Sequence, residues 1–470
     1  MSFDRRAFLA LSAAAASWPS RLLAQSGPMV RPEDFGARGD GVTNDTAAFS
    51  RLSAEVNRRG GGTISLAAGR TYLVGAQARS AGEWSWAPHP ILELRNLAGP
   101  LRILGNGARL RCAPALRFGA FEPHSGAPSH RPIPNTNRSE LASPYRAMIV
   151  VEQCRGPVEI RDVELDGRAT GLRVGGKFGD VGWQVPATGL LLIGNLGSER
   201  VENVYSHHHG QDGALIIGDP RRIARSRFTH LTCRYNCRQG LSLTGGRGYD
   251  FEDCEFSHTG RSALSSPPSA GVDIEGEGTP IRDISFTRCK FIDNEGVGMV
   301  ADSGDSANVR FADCLFVGTR TWSAWPNKSG FRFQGCTFAG SVVHPFPSSD
   351  PALACRFTNC RFTDDPKLSR AGKIYDGGGP IVNLAESDNV LFDACTFRLV
   401  GSALLPWSWK AIYRNCTMSQ RSSKPATPKG KFLGRTTIDA PVDLYGSMVI
   451  GTLIVNGRLI PPGPQGVAPW

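Results

Sequence analysis

Residues 284–291 read Ile284-Ser285-Phe286-Thr287-Arg288-Cys289-Lys290-Phe291, and this spacing of an apolar residue, Phe, Cys and Phe recurs through the second half of the chain. Further copies of the pattern contain Cys254, Cys314, Cys336, Cys360 and Cys395. With Cys233 and Cys416 included, successive cysteines lie 21, 35, 25, 22, 24, 35 and 21 residues apart. A period in the low twenties, lengthened in two repeats, is typical of a solenoid whose repeats bury their apolar faces against one another.

The segments between these copies distinguish two solenoids of similar period. A leucine-rich repeat would need a helix or a leucine-rich return arm in each unit. Residues 240–246 (GLSLTGG) and 271–276 (GVDIEG) instead alternate apolar and polar side chains between glycines, which is typical of strands joined by turns. We therefore predict an all-β fold, a single-stranded right-handed parallel β-helix with stacked Cys, Phe and aliphatic side chains inside.

Twelve cysteines in one chain raise the question of disulfides. Eight of them occupy the repeat position, so we predict a buried ladder of free thiols about 4.8 Å apart. Cys237 and Cys355 fall outside the repeat, which leaves a local bridge open for those two. No Cys-x-x-Cys metal spacing occurs. We predict no metal ligands and no cofactor, with a bound calcium ion as the one alternative.

The N-terminus has the features of an export signal. Asp4-Arg5-Arg6 resembles a twin-arginine motif, an apolar stretch follows, and Leu22-Leu23-Ala24 is a suitable cleavage site. A short amphipathic helix is the alternative interpretation. We predict a signal peptide at residues 1–24 and a periplasmic or secreted protein. No later segment is long and apolar enough to span a bilayer, so no membrane insertion is expected after signal removal.

The net charge of +11 favours a polyanionic partner, such as a uronate-containing polysaccharide. Charge that serves solubility alone is the competing explanation. A nucleic-acid partner is not expected, because the chain contains no recognised binding module. The sequence does not predict an oligomeric state.

Residues 31–75 form an entry module in which a helix from Thr46 to about Arg58 precedes Gly60-Gly61-Gly62 and a strand. This module resembles the N-terminus of the pectate-lyase-like β-helix superfamily, which includes polygalacturonases, rhamnogalacturonases, mannuronan epimerases and phage tailspikes. The resemblance implies a helix that caps the solenoid but no particular reaction. Beyond the cap we predict an irregular loop excursion with the first coils at 76–146, β-helix coils at 147–420, and a basic loop with capping strands at 421–470.

Two carboxylates are candidates for catalysis on an outward face. If Gly213, Gly240, Gly271 and Gly296 open equivalent strands, Asp273 and Glu275 point outward from one strand about 7 Å apart. This spacing leaves room for a general acid and a base or nucleophile around a glycosidic bond. Ordinary solvated strand charge is the alternative.

A third carboxylate, Asp212, lies in the turn before the strand two coils earlier. Residues 210–217 (GQDGALII) resemble the polygalacturonase motif Gly-Asp-Asp-Cys, and the resemblance implies that Asp212 is the proton donor. Gln211 stands where that family has its first Asp, and Gln239 stands where it has His. The hydrolytic set is therefore incomplete, and Asp273 or Glu275 must supply the missing group.

Tyr205, His207 and His209 form a second candidate set, because β-elimination and C5-epimerisation require proton removal next to a carboxyl group. His207, His208 and His209 are adjacent, and strand neighbours alternate in direction, so the three histidines cannot all face one site. A polar turn is the alternative, and a metal site is the least favoured interpretation. We predict that substrate is bound by these residues of the neighbouring turns and of the insertion at 168–188: Tyr205, Gln211, Gln239, Arg173, Lys177 and Trp183.

Together these features predict an exported enzyme that cleaves an acidic polysaccharide. Hydrolysis is placed ahead of elimination, because the clustered outward groups are mainly carboxylates. A C5-epimerase and a non-catalytic glycan-binding β-helix remain the alternatives. The sugar and its linkage cannot be read from the sequence.

Overall fold

The structure, a computed structural model, describes residues 29–79, 86–122, 124–129, 141–176, 185–262, 264–384 and 387–466. The predicted signal at residues 1–24 lies outside these ranges. A single sheet of 39 strands dominates the fold, and all but two of its strand pairings are parallel. The chain winds in coils that stack as three faces, here named sheets 1, 2 and 3. The predicted all-β, right-handed parallel β-helix is confirmed.

Between Leu92 and Leu399, each coil contributes one strand or part of a strand to each sheet, and three long strands run through both sheet 2 and sheet 3. Sheet 1 comprises Leu92–Arg95, Ala147–Glu152, Thr188–Ile193, Ala214–Ile217, the start of Leu241–Glu252, Val272–Ile274, Met299–Ala301, Ala324–Pro326, Val342–Val343 and Val382–Asn383. Sheets 2 and 3 share Leu101–Cys112, Val158–Asp166 and Glu199–His207.

The remaining strands belong to sheet 2 or to sheet 3. Sheet 2 adds Met29–Val30, Gly62–Ser65, Ser226–Thr229, the end of Leu241–Glu252, Gly276–Thr287, Val309–Ala312, Arg332–Gln334, Arg356–Thr358, Leu391–Asp393, Ser408–Arg414, Pro428–Leu433, Met448–Val449 and Gly463–Pro464. Sheet 3 adds Asp40–Asn44, Thr71–Val74, Thr232–Arg234, Glu255–Ser257, Lys290–Asn294, Leu315–Gly318, Thr337–Ala339, Arg361–Thr363, Thr396–Leu399, Thr417–Gln420, Arg435–Asp439, Thr452–Val455 and Arg458–Ile460. Gly304–Ser306 pairs beside sheet 2 with Gly276–Thr287.

The two phenylalanines of each repeat build two aromatic stacks inside the solenoid. Stacked rings offset along the axis gain dispersion and quadrupole energy in addition to their buried area. In sheet 2, neighbouring ring centroids lie 4.6–5.4 Å apart through Phe228, Phe251, Phe286, Phe311, Phe333, Phe357, Phe392, Tyr413 and Phe432. In sheet 3, the spacing is 4.6–5.6 Å through Phe256, Phe291, Phe316, Phe338, Phe362 and Phe397.

The cysteine ladder lies at the corner between sheets 2 and 3, where each thiol lies 3.3–3.5 Å from a phenylalanine carbonyl oxygen of the preceding coil. Its members are Cys254, Cys289, Cys314, Cys336, Cys360, Cys395 and Cys416. Cys233 was predicted to belong to it and does not, since it pairs with Phe256 and Leu231 takes the ladder position. All twelve cysteines lie in described ranges and are free, including Cys237 and Cys355.

The residue before each ladder position adopts a left-handed backbone, with φ between 51° and 64°. Asx residues and glycine tolerate this conformation best, which explains why the position is so often Asp, Asn or Gly. The sequence positions concerned are His230, Asp253, Arg288, Asp313, Gly335, Asn359, Ala394 and Asn415. The backbone conformation at the corner thus restricts one position of the repeat, in addition to the positions restricted by the buried rings.

The predicted cap helix spans Thr46–Arg59 and ends at Gly60, whose φ is 73°. It buries Phe49, Leu52 and Val56 against the first coil. The Asn57 side-chain amide donates to the Glu93 carbonyl oxygen at 2.9 Å, which attaches the helix to sheet 1. The apolar end of the first coil is therefore covered. Three short 3-10 helices lie at Pro32–Phe35, Ala169–Gly171 and Pro366–Leu368.

Two regions differ from the predicted organisation. The excursion within 76–146 is not irregular throughout: a separate five-stranded sheet, here the side sheet, joins Gln77–Arg79, Trp86–Pro88, Arg117–Ala120, Leu141–Ala142 and Arg173–Gly175. At the other end, the basic loop expected from residue 421 is short, because Pro428–Leu433 continues sheet 2. None of the helices in the described ranges has the length and apolar content needed to cross a membrane.

Candidate functional site

Sheet 1 positions the candidate site through its register. Ala214 pairs with Leu241, Leu241 with Val272, and Val272 with Met299. The glycine equivalent to Gly271 is therefore Gly298 and not Gly296. The predicted alignment was wrong by two residues there, and an even shift leaves the inward and outward faces unchanged. A Cβ atom on Gly271 would lie 2.5 Å from the Gly298 carbonyl oxygen, so close contact between coils explains glycine at these positions.

A depression of about 200 Å³, here the acidic pocket, opens on the outward face of sheet 1. Asp212, Asp273 and Glu275 all line it, as the predicted register requires. The complete lining consists of Gln211, Asp212, Leu215, Ile217, Arg238, Ser242, Leu243, Thr244, Asp273, Glu275 and Glu277. The pocket thus brings together carboxyl groups from two coils that are separated by the coil of Leu241.

The fully buried residue Gln239 connects two of these carboxyl groups, one through its side chain and one through its backbone. Its Nε2 donates to Asp273 Oδ2 at 2.7 Å, and its Oε1 accepts from the Ala270 amide at 2.8 Å. Its own backbone amide donates to Asp212 Oδ1 at 3.1 Å. With both ends held, the amide can present only its NH₂ group to Asp273. Gln239 therefore orients the Asp273 carboxyl group.

Asp273 is 3% exposed, and its Oδ1 has no hydrogen-bond partner. Burial raises its pKa well above the ordinary carboxyl range, and the charge of Glu275 raises it further. Asp273 is therefore the group in the acidic pocket best suited to hold a proton near neutral pH. Sequence reasoning found the residue but not the burial that sets its protonation.

Asp212 has no exposed side-chain area, and its second oxygen accepts from Ser242 Oγ at 3.0 Å. The Arg238 guanidinium approaches to 3.7 Å. Burial raises the pKa of Asp212, while Arg238 opposes that shift. Because Asp212 holds both Ser242 and the Gln239 backbone, its contacts are those of a residue that positions its neighbours.

Glu275 lies two residues after Asp273 on the same outward face and is partly exposed. Its Oε1 accepts from Ser303 Oγ at 2.6 Å. One coil further Val300 continues this face of sheet 1, and two coils further Trp325 does. Trp325 packs edge-to-face on Trp322 with ring centroids 5.1 Å apart, and both rings keep partial exposure. The pair can serve as a stacking platform for a sugar beside the acidic pocket.

The predicted histidines do not line the acidic pocket. His209 is wholly buried: its Nδ1 lies 3.0 Å from Tyr145 Oη, and its Nε2 lies 3.1 Å from the Leu165 carbonyl oxygen. Burial lowers the pKa of His209 well below its usual value. Both ring nitrogens are thus engaged inside the solenoid, and the prediction that His209 faces the groove is wrong. The strand ends at His207, and the left-handed turn at His208 directs His209 inward.

Tyr205 and His207 lie on the outward face of sheet 3, with their rings stacked at 4.2 Å. His207 Nε2 lies 3.0 Å from Glu164 Oε1. One ligand atom each from Asp166, His207 and His208 lies within 4.8 Å of the others, and we name these three the histidine cluster. It is the group of side chains, among those described, that could hold a metal ion.

The predicted substrate-binding residues of the 168–188 insertion are only partly described. Arg173 is exposed on the side sheet, where it pairs with Arg117, and it does not line the acidic pocket. Lys177 and Trp183 lie outside the described residues. Of the predicted binding residues, the acidic pocket includes Gln211, while Gln239 supports it from below.

A second depression of about 410 Å³, here the basic cleft, lies on the turns that follow sheet 3. Its lining is Gly260, Arg261, Ser262, Glu295, Thr319, Arg320, Ala371 and Lys373. Arg320 is paired with Glu295 at 2.9 Å, so Arg261 and Lys373 leave the lining positive. Cys237 Sγ lies 2.9 Å from Ser262 Oγ, which places this cleft next to Arg238 of the acidic pocket.

Sequence reasoning missed the basic cleft, Arg238, and the acidic partners of His207. Aligning residues 164–166 with 205–207 across adjacent coils would have revealed Glu164 beside Tyr205 and Asp166 beside His207. No comparable signal marked the cleft, because its cations come from turns of unequal length that the repeat does not align.

Residues 147–338 match the family model for the right-handed beta helix region. A capsule KN3-specific depolymerase of Klebsiella phage KN3-1 is 26% identical over 351 residues, which cover 68% of this chain. The chain spans 40% of the length of that relative.

Solved structures with the same architecture include proteins from a phage and a bacterium. The N-terminal fragment of bacteriophage Phi29 gene product 12 is 12% identical with a TM-score of 0.54, over 92% of this chain and 73% of the fragment. The A-module of mannuronan C-5 epimerase AlgE4 from Azotobacter vinelandii is 14% identical with a TM-score of 0.48, over 90% of this chain and 99% of the module. At 12% identity, the likeness to the Phi29 fragment shows the fold alone.

Proposed function

We propose that the protein hydrolyses glycosidic bonds in an acidic polysaccharide, with Asp273 as general acid and Glu275 as base or nucleophile. The observation that carries the proposal is the unequal environment of two carboxyl groups on one strand. Asp273 is buried with a raised pKa, whereas Glu275 is partly exposed and accepts from Ser303. A buried carboxyl group with a raised pKa beside a partly exposed carboxyl group matches the division of labour in glycoside hydrolysis.

Each step of the proposed reaction is assigned to one residue. Asp273 would protonate the glycosidic oxygen of the leaving sugar, while Gln239 holds its Oδ2. Glu275 would either attack the anomeric carbon or take a proton from the attacking water. Asp212 maintains this arrangement through Ser242 and the Gln239 backbone and is assigned a positioning role.

The likeness to a capsule depolymerase supports a polysaccharide as the substrate class. The positive lining of the basic cleft, next to the acidic pocket, supports an acidic one, because a carboxylate-bearing sugar could pair with Arg261 or Lys373. The platform formed by Trp322 and Trp325 would stack on an intervening sugar. Export, predicted from residues 1–24, fits a substrate outside the cytoplasm.

Elimination is the second candidate, and the Tyr205–His207 pair on sheet 3 is the observation that favours it. The deciding experiment incubates purified protein with a panel of uronate-containing and neutral polysaccharides. Reducing ends and absorbance at about 235 nm are recorded together. New reducing ends without absorbance are expected. Absorbance would establish elimination instead, and the absence of both signals would leave an epimerase or a binding protein.

An acidic substrate should be bound in part by the two cations of the basic cleft, Arg261 and Lys373. The double variant Arg261→Gln/Lys373→Gln should raise KM about tenfold on an acidic polysaccharide. It should change kcat little, because both cations would contact substrate away from the reacting bond. The matched control is the double variant Lys431→Gln/Arg435→Gln, in which both residues are exposed cations on sheets 2 and 3. It removes the same number of positive charges. Equal KM values for the two double variants would exclude the cleft from substrate binding.

A further inference from the structure

We infer that the histidine cluster is a binding site for a divalent transition metal, with zinc the ion that its ligands match best. The site lies on the outward face of sheet 3 and its following turn, and it does not depend on the proposed hydrolytic function. Asp166 and His207 pair directly across adjacent coils, and His208 follows at the corner with φ of 55°. Register alone therefore brings a carboxylate and two imidazoles together.

The first argument is the contact between the two imidazoles. His207 Nδ1 and His208 Nδ1 lie 2.6 Å apart, which is shorter than an ordinary N–H···N hydrogen bond. Around a zinc ion, with metal–nitrogen distances of about 2.0–2.1 Å, two such nitrogens would lie about 3.3 Å apart. A small rotation of the partly exposed His208 ring would open the gap for a cation. His207 Nδ1 also lies 3.8 Å from Asp166 Oδ1.

The second argument is that His207 is already oriented as metal-binding histidines are. Its Nε2 lies 3.0 Å from Glu164 Oε1, and a carboxylate can only accept there. In the neutral ring, this contact places the proton on Nε2 and directs the Nδ1 lone pair at the cluster. A carboxylate behind a ligating imidazole is the usual arrangement at zinc sites. Tyr205 stacks on the same ring at 4.2 Å and restricts its rotation.

The corner also holds His208 in place. Its ring stacks on Tyr235 with centroids 5.2 Å apart and an interplanar angle of 11°. Asp166 keeps one oxygen near Arg111 at 3.2 Å and the other on the Arg168 amide at 3.0 Å, so the carboxylate is fixed before any ion arrives. Three protein ligands leave a fourth zinc position for water or for a ligand oxygen.

The donor set selects among ions. Two imidazoles and one carboxylate suit zinc and its transition-metal neighbours. Calcium instead takes six to eight oxygen ligands, which this cluster does not offer. The calcium ion considered from the sequence is therefore not the ion expected here.

Zinc titration of the purified protein, without a polyhistidine tag and after chelator treatment, tests the inference by calorimetry. One ion per chain is expected, and cobalt(II) should give visible absorption bands of a nitrogen- and oxygen-ligated ion. His208→Asn and Asp166→Asn should each weaken zinc binding by tenfold or more, on the order expected for loss of a ligand, and Glu164→Gln by about tenfold. Asparagine at 208 remains compatible with the left-handed backbone.

The matched control is His230→Asn. His230 is an exposed histidine at the corner between sheets 2 and 3, and its φ of 52° is close to that of His208. It should bind zinc like the unaltered protein. Circular dichroism must show that every variant retains its β-structure. If a ligand variant misfolds, Glu164→Gln still tests the inference, because it leaves all three ligands in place. Failure of the unaltered protein to bind zinc at millimolar concentration would overturn the inference. Equal affinity in the His208→Asn, Asp166→Asn and His230→Asn variants would also overturn it.

Discussion

Asp273→Asn is expected to lower the rate of polysaccharide cleavage at least about a hundredfold while the protein stays folded. The substitution keeps the shape of the side chain and the acceptor for Gln239 Nε2, but it removes the transferable proton. Reducing-end assays under saturating substrate measure the effect. The matched control is Asp283→Asn, in the same coil but paired with Arg247 outside the acidic pocket. Asp283→Asn should leave turnover unchanged.

The same variant separates catalysis from stability. The unfolded chain releases the Asp273 proton at the ordinary carboxyl pKa, whereas the folded chain retains it, so folding takes up a proton. The free energy of unfolding should therefore fall as pH rises from the ordinary carboxyl range towards the raised pKa. Asp273→Asn removes this dependence and should be at least as stable as the unaltered protein at neutral pH. A variant that keeps its turnover would contradict the assignment of Asp273 as general acid.

Phe311→Ala should destabilise the solenoid by about 3–5 kcal/mol, the usual cost of emptying a buried aromatic site. The Phe311 ring lies between those of Phe286 and Phe333, with centroids 4.9 Å from each. Removing it leaves a cavity against both neighbouring coils, and a repeat has no other partners with which to repack. The midpoint of urea unfolding, followed by circular dichroism, measures the loss.

Phe311→Leu is the control for this core variant, because leucine keeps an apolar side chain in the stack and should cost clearly less than alanine. Phe311 is 1% exposed and lies outside both the acidic pocket and the basic cleft, so cleavage by folded protein should be unaffected. An alanine variant with the urea midpoint of the unaltered protein would mean that the aromatic stack does not hold the coils together.

The two variants illustrate opposite relations between burial and function. Phe311 is buried among like groups, and its burial contributes stability. Asp273 is buried beside other carboxyl groups with one oxygen unpartnered, and its burial opposes stability while creating a proton donor. A titratable residue whose burial lowers the stability of the fold is therefore a candidate catalytic residue.

Much of the architecture could be predicted from the repeat alone. In a solenoid each coil touches only its neighbours, so the contacts that stabilise the fold recur at a fixed spacing and are visible as Phe-x-x-Cys-x-Phe. The placement of Asp273 and Glu275 on one outward face followed from alternation along a strand, and an error of two residues at Gly298 did not disturb it. The prediction for Cys233 was also wrong by two residues, because Leu231 occupies the ladder position in that coil.

The chemistry of the site depended on contacts that no spacing encodes. His209 and His207 are two residues apart, yet one is enclosed against Tyr145 and the other faces outward beside Glu164, because the chain turns between them at His208. The basic cleft gathers Arg261, Arg320 and Lys373 from turns of different lengths. Repetition therefore determines the scaffold, since its contacts are local and periodic. The basic cleft arises where turns of unequal length break that period. The acidic pocket follows the register, but its distances and burial exist only once the coils are stacked.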